Sequence, residues 1–166
     1  MIEITTLAIV VAIMVAFCIP FVHSYQKKKK HEKNLTKQFD EKASELGLNI
    51  SNYDIWRRSY AIGLDSSQKK LLYIQFQPNF QYKLVDLNHV RRISISKEER
   101  QVGSDKDLQK VVDKLWLSLF LSNSPDVRLE FYDSDQSMGL MGEPVLIQKW
   151  HDLVKSVFSK NKEQLA

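Results

Sequence analysis

Thiol chemistry is almost absent from this chain: one residue of 166, Cys18, is cysteine. A single cysteine allows no disulfide framework within the chain and no cysteine metal site, and it suits a reducing compartment. Glycine is scarce as well, with five residues in all. No glycine-rich loop follows an apolar strand, which removes a phosphate cradle from consideration. Gly63, Gly103, Gly139 and Gly142 stand singly and read as turns or bulges. His23, His31, His89 and His151 have no second ligand-type residue at a metal-site spacing and read as surface side chains. Asp133, Asp135 and Glu143 share one stretch with Ser134 and Ser137, but the spacing and glycine of a calcium loop are missing. Two carboxylates without a cleft do not define an acid–base pair. These absences nominate no catalytic residue, cofactor or metal, and the chain is not expected to be an enzyme.

A surplus of one charge is also missing. The chain holds 24 Lys and Arg against 20 Asp and Glu, a formal net charge of +4. From Ser51 onward the two signs nearly balance, so the basic isoelectric point belongs mainly to the residues before it. Nucleic-acid binding needs a clustered basic footprint, and nucleic acid is not an expected partner.

What the chain does have is a long run with no charge in it. Ile4 to Val22 is a largely apolar run with no charged residue, and it is followed by Lys27, Lys28, Lys29 and Lys30. At about 1.5 Å per helical residue, roughly 20 residues match the thickness of bilayer hydrocarbon. Residues 4–25 therefore read as a transmembrane anchor after a tail of residues 1–3. The lysine block follows the run, and only Glu3 precedes it with a charge. Lysines stay on the cytoplasmic side, so the N-terminus is expected outside and the remainder inside, at the inner (plasma) membrane in a single pass. A cleaved signal peptide competes, with a cut near Val22-His23-Ser24. It lacks a basic leading region, and the lysine block would oppose translocation. A lipoprotein reading through Cys18 is discounted because Phe17 is too bulky before it.

Residues 26–49 form a basic juxtamembrane segment. Leu35, Phe39, Ala43 and Leu46 recur at helical spacing, and Gly47 suits a helix C-terminus. This helix is a spacer, a self-pairing element or a segment lying on lipid. Residues 50–160 read as one small β domain, with 161–166 a tail. Strands are expected at Ile55–Leu64, Leu71–Phe76, Tyr82–Leu87, Val90–Ile95, Leu115–Ser122 and Val127–Asp133, with a polar loop over Lys97–Asp107. A seventh strand falls near Tyr53 or between Ser104 and Val112. The alternation in the last two strands implies antiparallel pairing with one wet face. Glu143-Pro144 opens a final helix whose stripe is Ile147, Trp150, Val154, Val157 and Phe158. The expected fold class is α+β: an antiparallel β-barrel or sandwich of six to seven strands capped by a C-terminal helix.

Several segments carry a resemblance: Ala61-Ile62-Gly63-Leu64-Asp65, Lys69-Lys70-Leu71-Leu72-Tyr73-Ile74, Val85-Asp86-Leu87 with Val90, Leu129-Glu130-Phe131-Tyr132-Asp133, Gly142-Glu143 and Lys149-Trp150. Together they look like a pleckstrin-homology-like domain. The whole chain resembles a bacterial family of single-pass membrane proteins with such a domain in the cytoplasm. That resemblance implies a fold and brings no activity with it. The expected function is a membrane-anchored, non-enzymatic interaction or scaffold domain. Its partners would be the bilayer and a protein in or at the membrane, with a homodimer as an open alternative. The second reading is anionic-lipid sensing, with Lys27, Lys28, Lys29, Lys30, Lys69 and Lys70 as the membrane-surface contacts. An enzyme without a recognisable motif is the third.

Overall fold

The computed structural model describes residues 14, 32–103, 108–122 and 124–164, with side chains of the last helix as far as residue 157. The proposed anchor, residues 4–25, lies outside them apart from Met14, and so do Lys27 to Lys30. Among the described residues no helix is long and apolar enough to cross a membrane.

The chain divides into two compact units, Met1–Lys42 and Ala43–Ala166. Among the described residues a helix, α1, covers residues 32–45, within the span its apolar spacing predicts. Leu35, Phe39 and Ala43 of the expected stripe are buried, and Leu46 is half-buried. Gly47 ends the helix with φ of 65°, a left-handed conformation that glycine adopts without steric cost.

The second unit is α+β, with two antiparallel sheets and a C-terminal helix. The first sheet is a meander of β1 (Asn52–Trp56), β2 (Tyr60–Asp65), β3 (Lys70–Gln75) and β4 (Gln81–Asp86), paired in that order. A short 3-10 turn, Leu87–His89, leads into the second sheet. That sheet comprises β5 (Val90–Val102), β6 (Gln109–Leu121) and β7 (Val127–Asp133). The last helix, α2, runs Glu143–Gln164. Of the two forms expected, barrel or sandwich, the strands make two separate sheets and no closed barrel.

Two expectations are corrected. Ile55–Leu64 is not one strand. Arg57 and Arg58 both take positive φ, 49° and 52°, and turn the chain back so that Trp56 pairs with Tyr60. This break supplies the seventh strand, β1, around Tyr53. Nor is Lys97–Asp107 a loop throughout. β5 continues to Val102, and β6 begins at Gln109, with residues 104–107 outside the described set. Opposite charges set side by side, as in Arg100 Nε to Asp113 Oδ1 at 3.1 Å, let a polar sequence hold a ladder.

The core lies between the sheets and under α2. Tyr60, Ile62, Leu64, Leu71, Tyr73 and Val85 face Leu115, Leu117, Leu119, Leu129 and Phe131, and Ile147, Trp150 and Val154 close it. Each large side chain buried this way contributes about 1.5–3 kcal/mol. On the other face of the first sheet Ala61, Gly63, Leu72 and Ile74 are buried too. Gly63 is therefore an interior strand residue, paired with Tyr53 and Leu72, and not a turn or bulge.

Candidate binding surface

β4 inverts the pattern its sequence suggests. Phe80, Tyr82 and Leu84 alternate with Gln81 and Lys83, which by polarity alone would turn the apolar set inward. Val85 pairs with Leu71 and is buried in the core, so the period of two places Lys83 on the core face beside Tyr73. Lys83 copes by reaching out: its Nζ donates to the Arg128 carbonyl of β7 at 2.7 Å. Phe80, Tyr82 and Leu84 are left on the opposite face, 49%, 45% and 40% exposed. β4 is also the terminal strand of its sheet. Apolar side chains gathered on a sheet edge mark a docking surface or an aggregation hazard.

That edge opens onto a groove of about 480 Å³ where the two sheets meet. Leu84, Val85, Leu121, Pro125 and Val127 give it apolar walls, and Asp86, Asp126 and His89 supply its polar groups. The Asp-Leu-Asn-His sequence builds this corner. Asp86 caps the 3-10 turn, its Oδ1 accepting from the Asn88 backbone N–H at 2.9 Å and from Asn88 Nδ2 at 2.8 Å. His89 Nδ1 stands 3.6 Å from Asp86 Oδ2. Such a groove accepts an apolar side chain and favours a cation beside it.

The basic residues at the two ends of β2 do not gather. Lys69 and Lys70 lie at the β2–β3 turn, whereas Arg57 and Arg58 lie at the β1–β2 turn, the other end of β2. Six strand residues separate the two ends by roughly 20 Å. Lys70 Nζ donates to Gln68 Oε1 at 3.0 Å, and Lys69 has φ of 54°. The same turn is tied to the residues just after α1. Asp65 Oδ2 accepts from the Asn49 backbone N–H at 2.7 Å, and Gln68 Nε2 donates to the Gly47 carbonyl at 2.6 Å. The bond from the Ser67 hydroxyl, aided by the N–H groups of Gln68, Asn49 and Ser67 and opposed by burial, holds the Asp65 carboxyl at about 2.

Arg57 does something the sequence did not announce. Its Nε donates to Glu143 Oε1, another guanidinium nitrogen donates to the Gly139 carbonyl, and the group stands 5.2 Å from the Tyr132 ring centre. Glu143 is buried, and its Oε2 accepts from the Met141 N–H at 2.7 Å. Burial pushes this carboxyl up, but the Arg57 and backbone donors outweigh it and hold it below the usual carboxylate range. Asp133 is occupied separately, 3.5 Å from Lys114 Nζ, so the acidic stretch does not converge. Among the described residues no group of His, Cys, Asp and Glu could hold a metal ion. Tyr60 donates to Glu130 Oε1 at 2.6 Å, and burial beside that carboxylate pushes both Tyr60 and Tyr73 above the ordinary phenol range.

Comparison with protein-family models, with curated proteins and with solved structures gives no match.

Proposed function

We propose that this chain is a membrane-tethered, non-enzymatic interaction domain that receives an extended segment of a membrane-associated protein along β4. The supporting observation is the edge itself: Tyr82 and Leu84 exposed on a terminal strand, with Phe80 exposed just before it, beside an apolar groove. Strand addition would give backbone hydrogen bonds, and the groove would select an apolar residue next to a basic one. In this reading residues 4–25 hold the domain at the inner membrane with the N-terminus outside. The two-sheet domain with its closing helix is the pleckstrin-homology-like module of the family the sequence resembles. Confinement to a plane raises the effective concentration of partners there.

The test is site-specific photocrosslinking of the full chain in its native membranes. A photoreactive residue at 82 or 84 should capture one discrete protein, and Leu84→Lys should abolish capture from position 82. The same probe at 148, an exposed position on α2, should capture nothing in common. Equal capture from all three positions would refute the β4 surface.

One observation favours lipid contact as a second reading. Lys69 and Lys70 lie in the turn bonded to Gly47 and Asn49, where the segment after Lys27, Lys28, Lys29 and Lys30 joins the domain. Flotation of the full chain carrying Lys69→Glu and Lys70→Glu on anionic vesicles separates the readings, because strand addition at β4 predicts no change.

A further inference from the structure

β5 is the terminal strand of the second sheet, paired with β6 alone. Its ladder with β6 is one-to-one from Arg92 to Glu98, with register shifts immediately before and after. That leaves a regular window of Arg92, Ile93, Ser94, Ile95, Ser96, Lys97 and Glu98, with Ile95 at its midpoint. The window carries a cation at one end and an anion at the other. Arg92 and Glu98 are both exposed, and the Arg92 guanidinium lies 4.1 Å from the Phe120 ring centre.

We propose that a second copy of this chain adds antiparallel along β5, about a two-fold axis at Ile95. In that register Arg92 falls opposite the partner's Glu98 and Ser94 opposite the partner's Ser96. Arg91 and Glu99 lie beyond the two register shifts and are outside the paired window. Symmetry doubles the Arg92–Glu98 pair, so both charge–charge contacts join opposite signs, while Lys97 falls opposite the partner's Ile93. Opposite charges directly across a ladder stabilise it, and like charges do the reverse. Charges that merely guard an edge against pairing would share one sign and repel a second copy. Here they match it. The product is an isologous dimer with a continuous six-stranded sheet, β7-β6-β5 running into its symmetry mate. Arg91 also donates to the Leu121 carbonyl at 3.0 Å, and Glu99 stands 3.8 Å from Lys97. Arg92 stacks on Phe120 and Glu98 lies opposite Lys114 of β6, yet both stay exposed within the regular window, and this pair carries the specificity.

The inference uses a different strand from the β4 surface and stands or falls separately. Arg92 and Glu98 are six residues apart on one strand, roughly 20 Å, so neither compensates the other within a protomer. The full chain is prepared with two distinguishable tags, and self-association is measured by tag capture and by mass. Arg92→Glu alone and Glu98→Arg alone should each weaken association on the order of tenfold or more. Mixing these two variants should restore it, because each then meets its complement. In a Cys18→Ser background, Ser94→Cys mixed with Ser96→Cys should form a crosslinked dimer, leaving both charges native. A monomeric wild-type chain, variants that associate as the wild type does, or no crosslink would overturn the proposal.

Discussion

Asp65 shows how one side chain joins two segments distant in sequence. Its carboxylate accepts from the Ser67 hydroxyl and from the N–H groups of Ser67, Gln68 and Asn49. The first three close the β2–β3 turn on itself, and the last pins the residues after α1. All four donors favour the charged form, which is why the carboxyl titrates at about 2. In the unfolded chain it titrates at about 3.9. The folded state thus gives up the proton more readily than the unfolded one. The stabilisation is complete above about pH 4 and is lost as the pH falls toward 2. Denaturant unfolding of the full chain should show its midpoint declining between pH 4 and 2, and Asp65→Asn should flatten that decline. Parallel pH profiles for the two proteins would show that the turn does not depend on this charge.

The β1–β2 turn makes the corresponding argument for an element. Arg57 and Arg58 occupy the two central positions of a tight reversal in which the Ser59 N–H donates to the Trp56 carbonyl at 3.2 Å. Positive φ costs a non-glycine residue about 1–2 kcal/mol, and such turns favour Asn-Gly. Arg57 recovers that cost through Glu143 and the Gly139 carbonyl. Arg58 is exposed, with no bond to offset it among those described. Arg58→Gly should therefore stabilise the domain by about 0.5–1 kcal/mol, the strain relieved less the added freedom of the unfolded chain. Arg57→Gly should destabilise it by about 3 kcal/mol or more, because Glu143 would be left buried and unpaired. Thermal melts of the two variants, moving in opposite directions, check this.

The same turn shows what the sequence carried and what it hid. Val127–Asp133 and the helix from Glu143 were legible to the residue because their periods, two and 3.6, are clean and their ends are marked by proline. The reversal at Arg57-Arg58 was not, because two arginines carry no local turn signal. Its stabilisation comes from Glu143, more than 80 residues away. The long β5–β6 ribbon was hidden for a related reason, since pairs such as Arg100 with Asp113 form only across strands. At β4 the strand was legible but its facing was not: the inward position of Val85 overrides the polarity of its neighbours. The candidate surface was invisible at that point, since only register exposes Phe80, Tyr82 and Leu84.

At the scale of the molecule, the sheets and α2 are held by burial and oriented by a few polar bonds crossing between them. Trp56 Nε1 donates to the Phe131 carbonyl at 3.0 Å, and its ring stacks on Phe131 with centres 4.8 Å apart. Tyr73 donates to the Glu130 carbonyl at 2.8 Å. Trp150 is fully buried, yet its Nε1 donates to Asp54 Oδ2 at 2.8 Å, and Lys149 reaches the same oxygen. Burial alone would let α2 rotate or slide over the core, since apolar contact is non-directional. The indole bond to β1 fixes one orientation. Asp54→Ala should cost about 1–3 kcal/mol, because it leaves a buried indole N–H without an acceptor. Trp150→Phe removes the donor as well as part of the ring. In the double variant the Asp54→Ala penalty should shrink, since no orphaned N–H remains, and the shortfall from additivity measures the bond itself. If the two losses simply add, Asp54 does not orient α2, and packing around Ile147 and Val154 alone holds the helix in place.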